Sequence, residues 1–396
     1  MTRPFRRRVL YLPGFDPIPP RRYRELYRRE GAEQARLSGY RLALRPGGAH
    51  RRRFAWSADS TIDGRKAEAQ VEVLVWSDLV QASMRQGIAG TYLQLVRTAW
   101  TYAATGALWR LARLRRGPVI AALYPIAVLL AQLVLALLAS GLAAWAVAAL
   151  GSAWLGLPVG LMAAAAVLWL GRRLDHKLFA YYLMHDYAFT AAHQGAYPPA
   201  LEERLAQFRQ RLAQTLDEDL DEVLVVGHSS GAYLAVSLLA DLLRAHPPRQ
   251  DGPVLALMTL GHVVPMAAFL PGAARLRADL AFLSQAPDIF WLDVTAPGDA
   301  CCFALCDPVA VCGEAGPQQR WPLVISAAYT HTLSPERQKA IRHRWFRLHF
   351  QYLCAFDRPG DYDYFAITAG PLTLAERFAG RKPSPGRITR PVGARP

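Results

Sequence analysis

Apolar and polar positions alternate in short blocks along this chain, with one exception. Between Pro118 and Gly171 no residue is charged. That stretch is more than twice the ~20 residues one membrane-crossing helix needs. Gly151-Ser152 and Gly156-Leu157-Pro158 break it near its middle. The pattern predicts a helical hairpin, one helix from about Val119 to Ala149 and the other from about Ala153 to Leu170. Helices are expected because lipid tolerates only elements that satisfy their own backbone hydrogen bonds. Arg110, Arg113, Arg115 and Arg116 precede the stretch, Arg172, Arg173 and Lys177 follow it, and the connecting loop is uncharged. The basic flanks put both outer ends on the cytoplasmic side. Trp109, Trp145, Trp154 and Trp169 suit interface anchors.

The short blocks on either side read as strands and helices in alternation. Arg8–Leu12, Tyr40–Arg45, Arg52–Trp56 and Ala69–Trp76 are expected strands, and Tyr23–Leu37 a charged helix. Asp78–Leu114 has helical periodicity, with Leu93, Val96, Trp100 and Ala104 near one face. That face suits a membrane interface or packing on the domain equally. Beyond the hairpin, helices are expected over Leu178–Tyr187, Leu201–Leu216 and Gly231–Ala245. Strands are expected over Glu222–Val226, Val254–Leu260, Ile289–Val294 and Leu323–Ala328. Pro335–Cys354 reads as a helical stretch broken near its middle. Such alternation predicts an α/β fold with a mainly parallel sheet flanked by helices. Both ends of the hairpin fall on one side, so residues 1–117 and 172–380 are expected to form one domain with the hairpin inserted. Residues 381–396, rich in Pro, Gly and Arg, are expected to be a disordered basic tail.

Charge and cysteine content narrow the setting. The 396 residues carry a net charge of +15. Much of the excess lies in Arg6-Arg7-Arg8, Arg21-Arg22, Arg28-Arg29, Arg51-Arg52-Arg53 and the tail. With a membrane segment present and no nucleic-acid motif, the expected partner is an anionic lipid leaflet and not nucleic acid. Cys301, Cys302, Cys306, Cys312 and Cys354 are odd in number, include an adjacent pair and form no CxxC, which argues for buried thiols over disulfides. Neither a metal nor a cofactor is expected. The N-terminus lacks a signal-peptide pattern. The expected location is a membrane crossed more than once, the bacterial inner membrane, with both termini cytoplasmic.

One motif carries chemistry. Gly227-His228-Ser229-Ser230-Gly231 matches G-x-S-x-G, preceded by the β-branched run Val223-Leu224-Val225-Val226 and followed by a helix-forming run. A nucleophilic serine needs a tight strand-to-helix turn that exposes its oxygen, with glycines where backbones approach closely. His228, inside the turn, is expected to shape it. His262, just after a strand, is expected to line a pocket. Asp357–Phe365, acidic and aromatic, is expected to cover the site or to brace a histidine.

On this motif and on Tyr11–Pro17, a strand followed by a glycine loop, the chain resembles the α/β-hydrolase superfamily, most closely its lipases and esterases. The resemblance implies Ser229 as nucleophile, with oxyanion donors at the Ser230 N–H and in the loop after the first strand, where Phe15 is the choice and Asp16 the alternative. It implies an acid and then a histidine later in the chain. Asp299, beyond a strand and a Pro-Gly turn, is the choice for the acid over Asp293 and Asp307. His349, between aromatics, is the choice for the histidine, with His331 the alternative. The expected function is a membrane-anchored serine hydrolase acting on an ester, in particular a lipid. An acyltransferase or thioesterase of the same fold and a catalytically silent membrane scaffold are the alternatives.

Overall fold

The computed structural model describes residues 3–46, 54–246 and 251–392. Eight strands form one sheet: β1 (Phe5–Leu12), β2 (Arg41–Pro46), β3 (Ala55–Ile62), β4 (Arg65–Val73), β5 (Glu222–His228), β6 (Val254–Leu260), β7 (Ile289–Thr295) and β8 (Leu323–Ser326). Their order is β2-β3-β4-β1-β5-β6-β7-β8. The run β4-β1-β5-β6-β7-β8 is parallel, while β2 and β3 are antiparallel to their neighbours. The expected α/β sheet is therefore present.

Burial explains the two halves. All seven residues of β5 are buried, as a central parallel strand covered by helices on both faces requires. In β3 only alternate residues, Trp56, Ala58 and Ser60, are buried, so that edge covers a core on one face. Asp63 and Gly64, both with positive φ, close the β3–β4 hairpin, as a two-residue Asp-Gly turn does. Through this turn β3 runs past the expected Trp56 to Ile62, and β4 begins at Arg65, before the expected Ala69, and ends at Val73, short of Trp76; Arg52 and Arg53 lie outside the described residues. At the centre, Arg7 on β1 is buried against Glu222 on β5 at 2.5 Å and donates to the Gly370 carbonyl at 2.8 Å. β1 thus begins the chain yet sits mid-sheet, next to the strand that carries the elbow.

The expected single helical run over Asp78–Leu114 is three helices: Ser77–Ser83, Ile88–Ala104 and Ala107–Leu114. Gly106, at φ 69°, makes the second break. The helix Ile88–Ala104 buries Thr91, Leu95, Thr98 and Tyr102. Leu93, Val96 and Trp100 are instead 50, 62 and 73% exposed. The apolar face does not pack on the domain.

Two helices, Arg116–Ala149 and Ala153–Arg173, are long and apolar enough to cross a membrane. Only 17% and 11% of their most apolar windows are buried, which separates them from the core helices of a soluble protein. They pack on each other through small residues. A Cβ on Gly156 would lie 3.2 Å from the Ala144 carbonyl oxygen, and one on Gly160 2.9 Å from that of Ser140. Such a small-xxx-small seam lets two helices approach closely in lipid. Gln132, buried in the first helix, donates to the Leu168 carbonyl at 3.0 Å and accepts from Tyr181 at 3.1 Å.

The tail departs from expectation. Ser384 N–H donates to the Val324 carbonyl, and Ile388 pairs with Cys306 as an isolated bridge. Val392 packs on the apolar cluster beneath the hairpin. Basic composition suggested disorder, but Ile388 and Val392 give the segment apolar anchors, and it is bonded to the body through these contacts. Residues 393–396 lie outside the described residues.

Candidate active site

The turn after β5 is as tight as the motif requires. Ser229 has φ 58° and ψ −123°, a conformation costly for a side-chain-bearing residue. Its neighbours hold it there. A Cβ on Gly231 would stand 2.2 Å from the Leu12 carbonyl oxygen, and one on Gly227 2.6 Å from that of Gly231. Neither position admits a larger residue without moving backbone. Gly14 closes the other side: a Cβ there would lie 2.9 Å from Ser229 Cβ. The helix Ser230–Ala245 begins at once, so its N-terminal N–H groups point toward the serine.

Ser229 and His349 line one cavity, together with Gly14, Ser230 and His228. His349 ends the short helix Trp345–His349, which follows a break after Pro335–Ile341. That break frees the imidazole from a continuous helical surface. His349 Nδ1 is 2.8 Å from Asp299 Oδ2. Asp299 is buried and also accepts from the Tyr352 hydroxyl at 3.0 Å and the Cys301 N–H at 2.9 Å. Burial pushes its carboxyl up, but its attraction and hydrogen bond to His349 and the bond from the Cys301 N–H outweigh that and hold it below its usual value. Gly261 lets the pair close: a Cβ there would be 3.2 Å from His349 Cε1 and 3.4 Å from Asp299 Oδ2.

The rival residues are elsewhere. His331 is exposed, on the helix Tyr329–Thr332. Asp293 is buried in β7, accepting from the Thr259 hydroxyl at 2.6 Å. Asp307 accepts from the Val309 and Ala310 N–H groups, both at 3.0 Å. His262 does not line the cavity. It is buried, bonded to the Cys306 carbonyl at 2.9 Å, and its neighbour Val263 reaches the cavity instead. His228 does more than shape the turn: its Nε2 meets the His349 carbonyl at 2.9 Å. Burial and the nearby His349 lower its pKa to about 3, so it is a neutral imidazole that fixes the His349 backbone.

The first-strand loop requires one correction. The Phe15 N–H donates to Ser230 Oγ at 2.8 Å, so the hydroxyl of the adjacent serine already takes the donor assigned to an oxyanion. The Asp16 N–H has no such acceptor among the described residues. Its carboxylate is tied back, accepting from the Tyr23 hydroxyl at 2.5 Å and the Ile18 N–H at 2.9 Å. Trp76 holds the loop from below, donating to the Pro13 carbonyl at 2.9 Å.

Sequence reasoning missed two contributors. Tyr352 is fully buried and bridges Asp299 to the Ala296 N–H; its spacing three residues after His349 was the only signal. Tyr362 supports it by donating to the Tyr352 carbonyl at 2.8 Å, so the Asp357–Phe365 segment braces Tyr352, which in turn holds Asp299. The second contributor is the helix Ala180–Ala192, which follows the hairpin and supplies Tyr182, Asp186, Tyr187 and Thr190 to the cavity wall. Asp175 caps it, accepting from the Tyr181 and Tyr182 N–H groups at 2.8 and 3.0 Å. The hairpin also touches the site elements. A Cβ on Gly117 would lie 3.2 Å from Ala300 Cα, and Tyr124 meets Trp345 ring to ring at 5.7 Å.

Asp299, Cys301 and His349 also offer three ligand atoms within 4.8 Å of one another. Their bonding favours another use. The carboxylate already serves three donors, and burial raises the Cys301 thiol well above its ordinary value, which keeps it protonated and a poor ligand. The chain matches no family model, no curated protein and no solved structure.

Proposed function

We propose that the protein is a membrane-anchored serine hydrolase of the α/β-hydrolase type that cleaves an ester through an acyl-enzyme on Ser229. One observation carries the reading: a strained Ser229 shares a cavity with a His349 whose Nδ1 is bonded to the buried Asp299. The chain order of serine, acid and histidine is that of the superfamily.

In this reading Asp299 holds Nδ1–H, which leaves His349 Nε2 to accept the Ser229 proton as Oγ attacks the carbonyl. The oxyanion is met by the N–H groups of Ser230 and Asp16. His349 returns its proton to the departing alcohol. It then deprotonates a water that splits the acyl-enzyme, releasing the acid and restoring Ser229.

The hairpin crosses the membrane with both ends on the cytoplasmic side. The exposed Leu93, Val96, Trp100 and Trp109 extend its apolar surface onto the adjoining helices, so these lie in the lipid interface. Arginines nearby meet anionic headgroups. An ester resident in or near that leaflet reaches the cavity along the wall formed by Ala180–Ala192.

The test is labelling of the purified protein by a fluorophosphonate probe, with hydrolysis of p-nitrophenyl esters of several chain lengths. The wild-type chain should label and hydrolyse, and Ser229→Ala should do neither. Equal labelling of the variant would refute the assignment. Release of the protein from membranes by carbonate washing would refute the anchor.

A further inference from the structure

The cavity holds a second carboxylate that ester hydrolysis as described does not use. Asp186 lines it beside Ser229 and His349. Its side chain makes no hydrogen bond or ion pair among the described residues; its backbone carbonyl, besides its place in the helix, accepts from the Thr190 hydroxyl at 3.5 Å. Asp186 is half-buried, and an ionised carboxylate partly withdrawn from water without a partner is costly. Among the described residues, no lysine or arginine lines this cavity. The groups that act electrostatically with Asp186 are His349, Cys301, Tyr102, Tyr182, Tyr187 and Tyr233, and none is a fixed cation.

We infer that Asp186 selects an ester that carries an ammonium group near its scissile bond. The proposal rests on the hydrolase reading and names its substrate class. A carboxylate and aromatic rings converging on one space are complementary to an ammonium ion, through direct charge attraction and through the ring faces. Tyr182, Tyr187, Tyr233 and Phe346 supply those rings. Burial raises Asp186 to about 7; a bound cation favours the ionised form and supplies the missing partner. An anionic group in the same position would meet a like charge with no counter-ion, so a phosphate held next to the scissile bond is disfavoured.

The test uses the full chain in lipid nanodiscs at about pH 8 and two esters that differ only in charge. These are butyrylcholine and 3,3-dimethylbutyl butyrate, in which carbon replaces the quaternary nitrogen. The expected kcat/KM ratio favours the cation by about 10-fold or more. Asp186→Asn should bring the ratio close to one, whereas His331→Ala, on an exposed helix outside the cavity, should leave it as in the wild type. A wild-type ratio near one, or a ratio unchanged by Asp186→Asn, overturns the proposal. Calorimetric titration with choline and with 3,3-dimethylbutanol reads the same preference without turnover. Choline binding that depends on Asp186 in a protein whose Ser229 never labels would sink the hydrolase reading and keep the cation site. Labelling of Ser229 with no preference for choline would sink the cation site alone.

Discussion

The two walls of the cavity treat polar atoms in opposite ways. On the sheet side, Asp299 serves three donors, His228 holds the His349 backbone, and Gly14, Gly227, Gly231 and Gly261 stand where no side chain fits. On the side of the apolar hairpin, the helix Ala180–Ala192 presents Asp186 with nothing bonded to its carboxylate among the described residues. A saturated, close-packed wall fixes geometry, as a reaction needs. An unsaturated wall leaves an interaction to be completed by whatever enters. In the proposed hydrolase, the difference separates the machinery that makes and breaks bonds from the surface that selects a substrate.

The largest effect should fall on the sheet side. Asp299→Asn removes the charge that orients His349, and kcat should fall by roughly 10³–10⁴-fold while the fold persists. Steady-state hydrolysis of a neutral p-nitrophenyl ester measures it. If Asp186→Asn costs as much on that ester, the division between the walls fails. A smaller loss, about 100-fold, is expected for Gly14→Ala, because the new methyl must displace Ser229, and misplacing a reacting group by ~1 Å costs about that much. Fluorophosphonate labelling rates read it directly; a variant that labels at the wild-type rate would show that the loop yields instead. Tyr352→Phe removes one of the donors to Asp299 and should cost about 10-fold, in line with a hydrogen bond to a charged group. The loss should appear in kcat and not in KM, since Tyr352 does not line the cavity.

The same asymmetry governs what the sequence made legible. The elbow could be read because its needs are local: a buried strand, a serine between glycines and a helix, all within Glu222–Ala245. The hairpin could be read because its length and its absence of charge are ones that few soluble segments share. Asp299 and His349 were chosen over Asp293 and His331 from chain order and local setting, and the structure brings those two side chains to 2.8 Å of each other. Phe15 was misassigned because the hydroxyl of Ser230, distant in sequence, takes its N–H. Asp186 left no signal, since one aspartate on a helix is ordinary until the cavity forms around it. The apolar face at Leu93, Val96 and Trp100 was visible as a pattern. Its exposure followed only once Thr91, Leu95, Thr98 and Tyr102 were seen to take the buried side.

The smallest effect concerns stability, and its sign distinguishes the walls again. Burial raises Asp186 from 3.8 to about 7 in the folded protein. Below pH 3.8 the group is protonated in both states and costs nothing. As pH rises toward 7, the unfolded chain releases a proton that the folded chain retains, so stability falls across that window and levels off above it. Asp186→Asn abolishes this penalty. Its apparent melting temperature in detergent should exceed that of the wild type by a few degrees at about pH 8 and match it at about pH 4. Asp299 lies on the other side of the sign. Its carboxyl is held below its usual value in the folded protein, so it stabilises above the unfolded value and that contribution is lost as the solution is acidified through the folded one. Asp299→Asn should therefore lower the melting temperature at about pH 8. A gain on Asp186→Asn beside a loss on Asp299→Asn is what a selecting wall and a reacting wall require. Losses for both would mean that Asp186 already has a stabilising partner inside the protein, and the selecting role would fall with it.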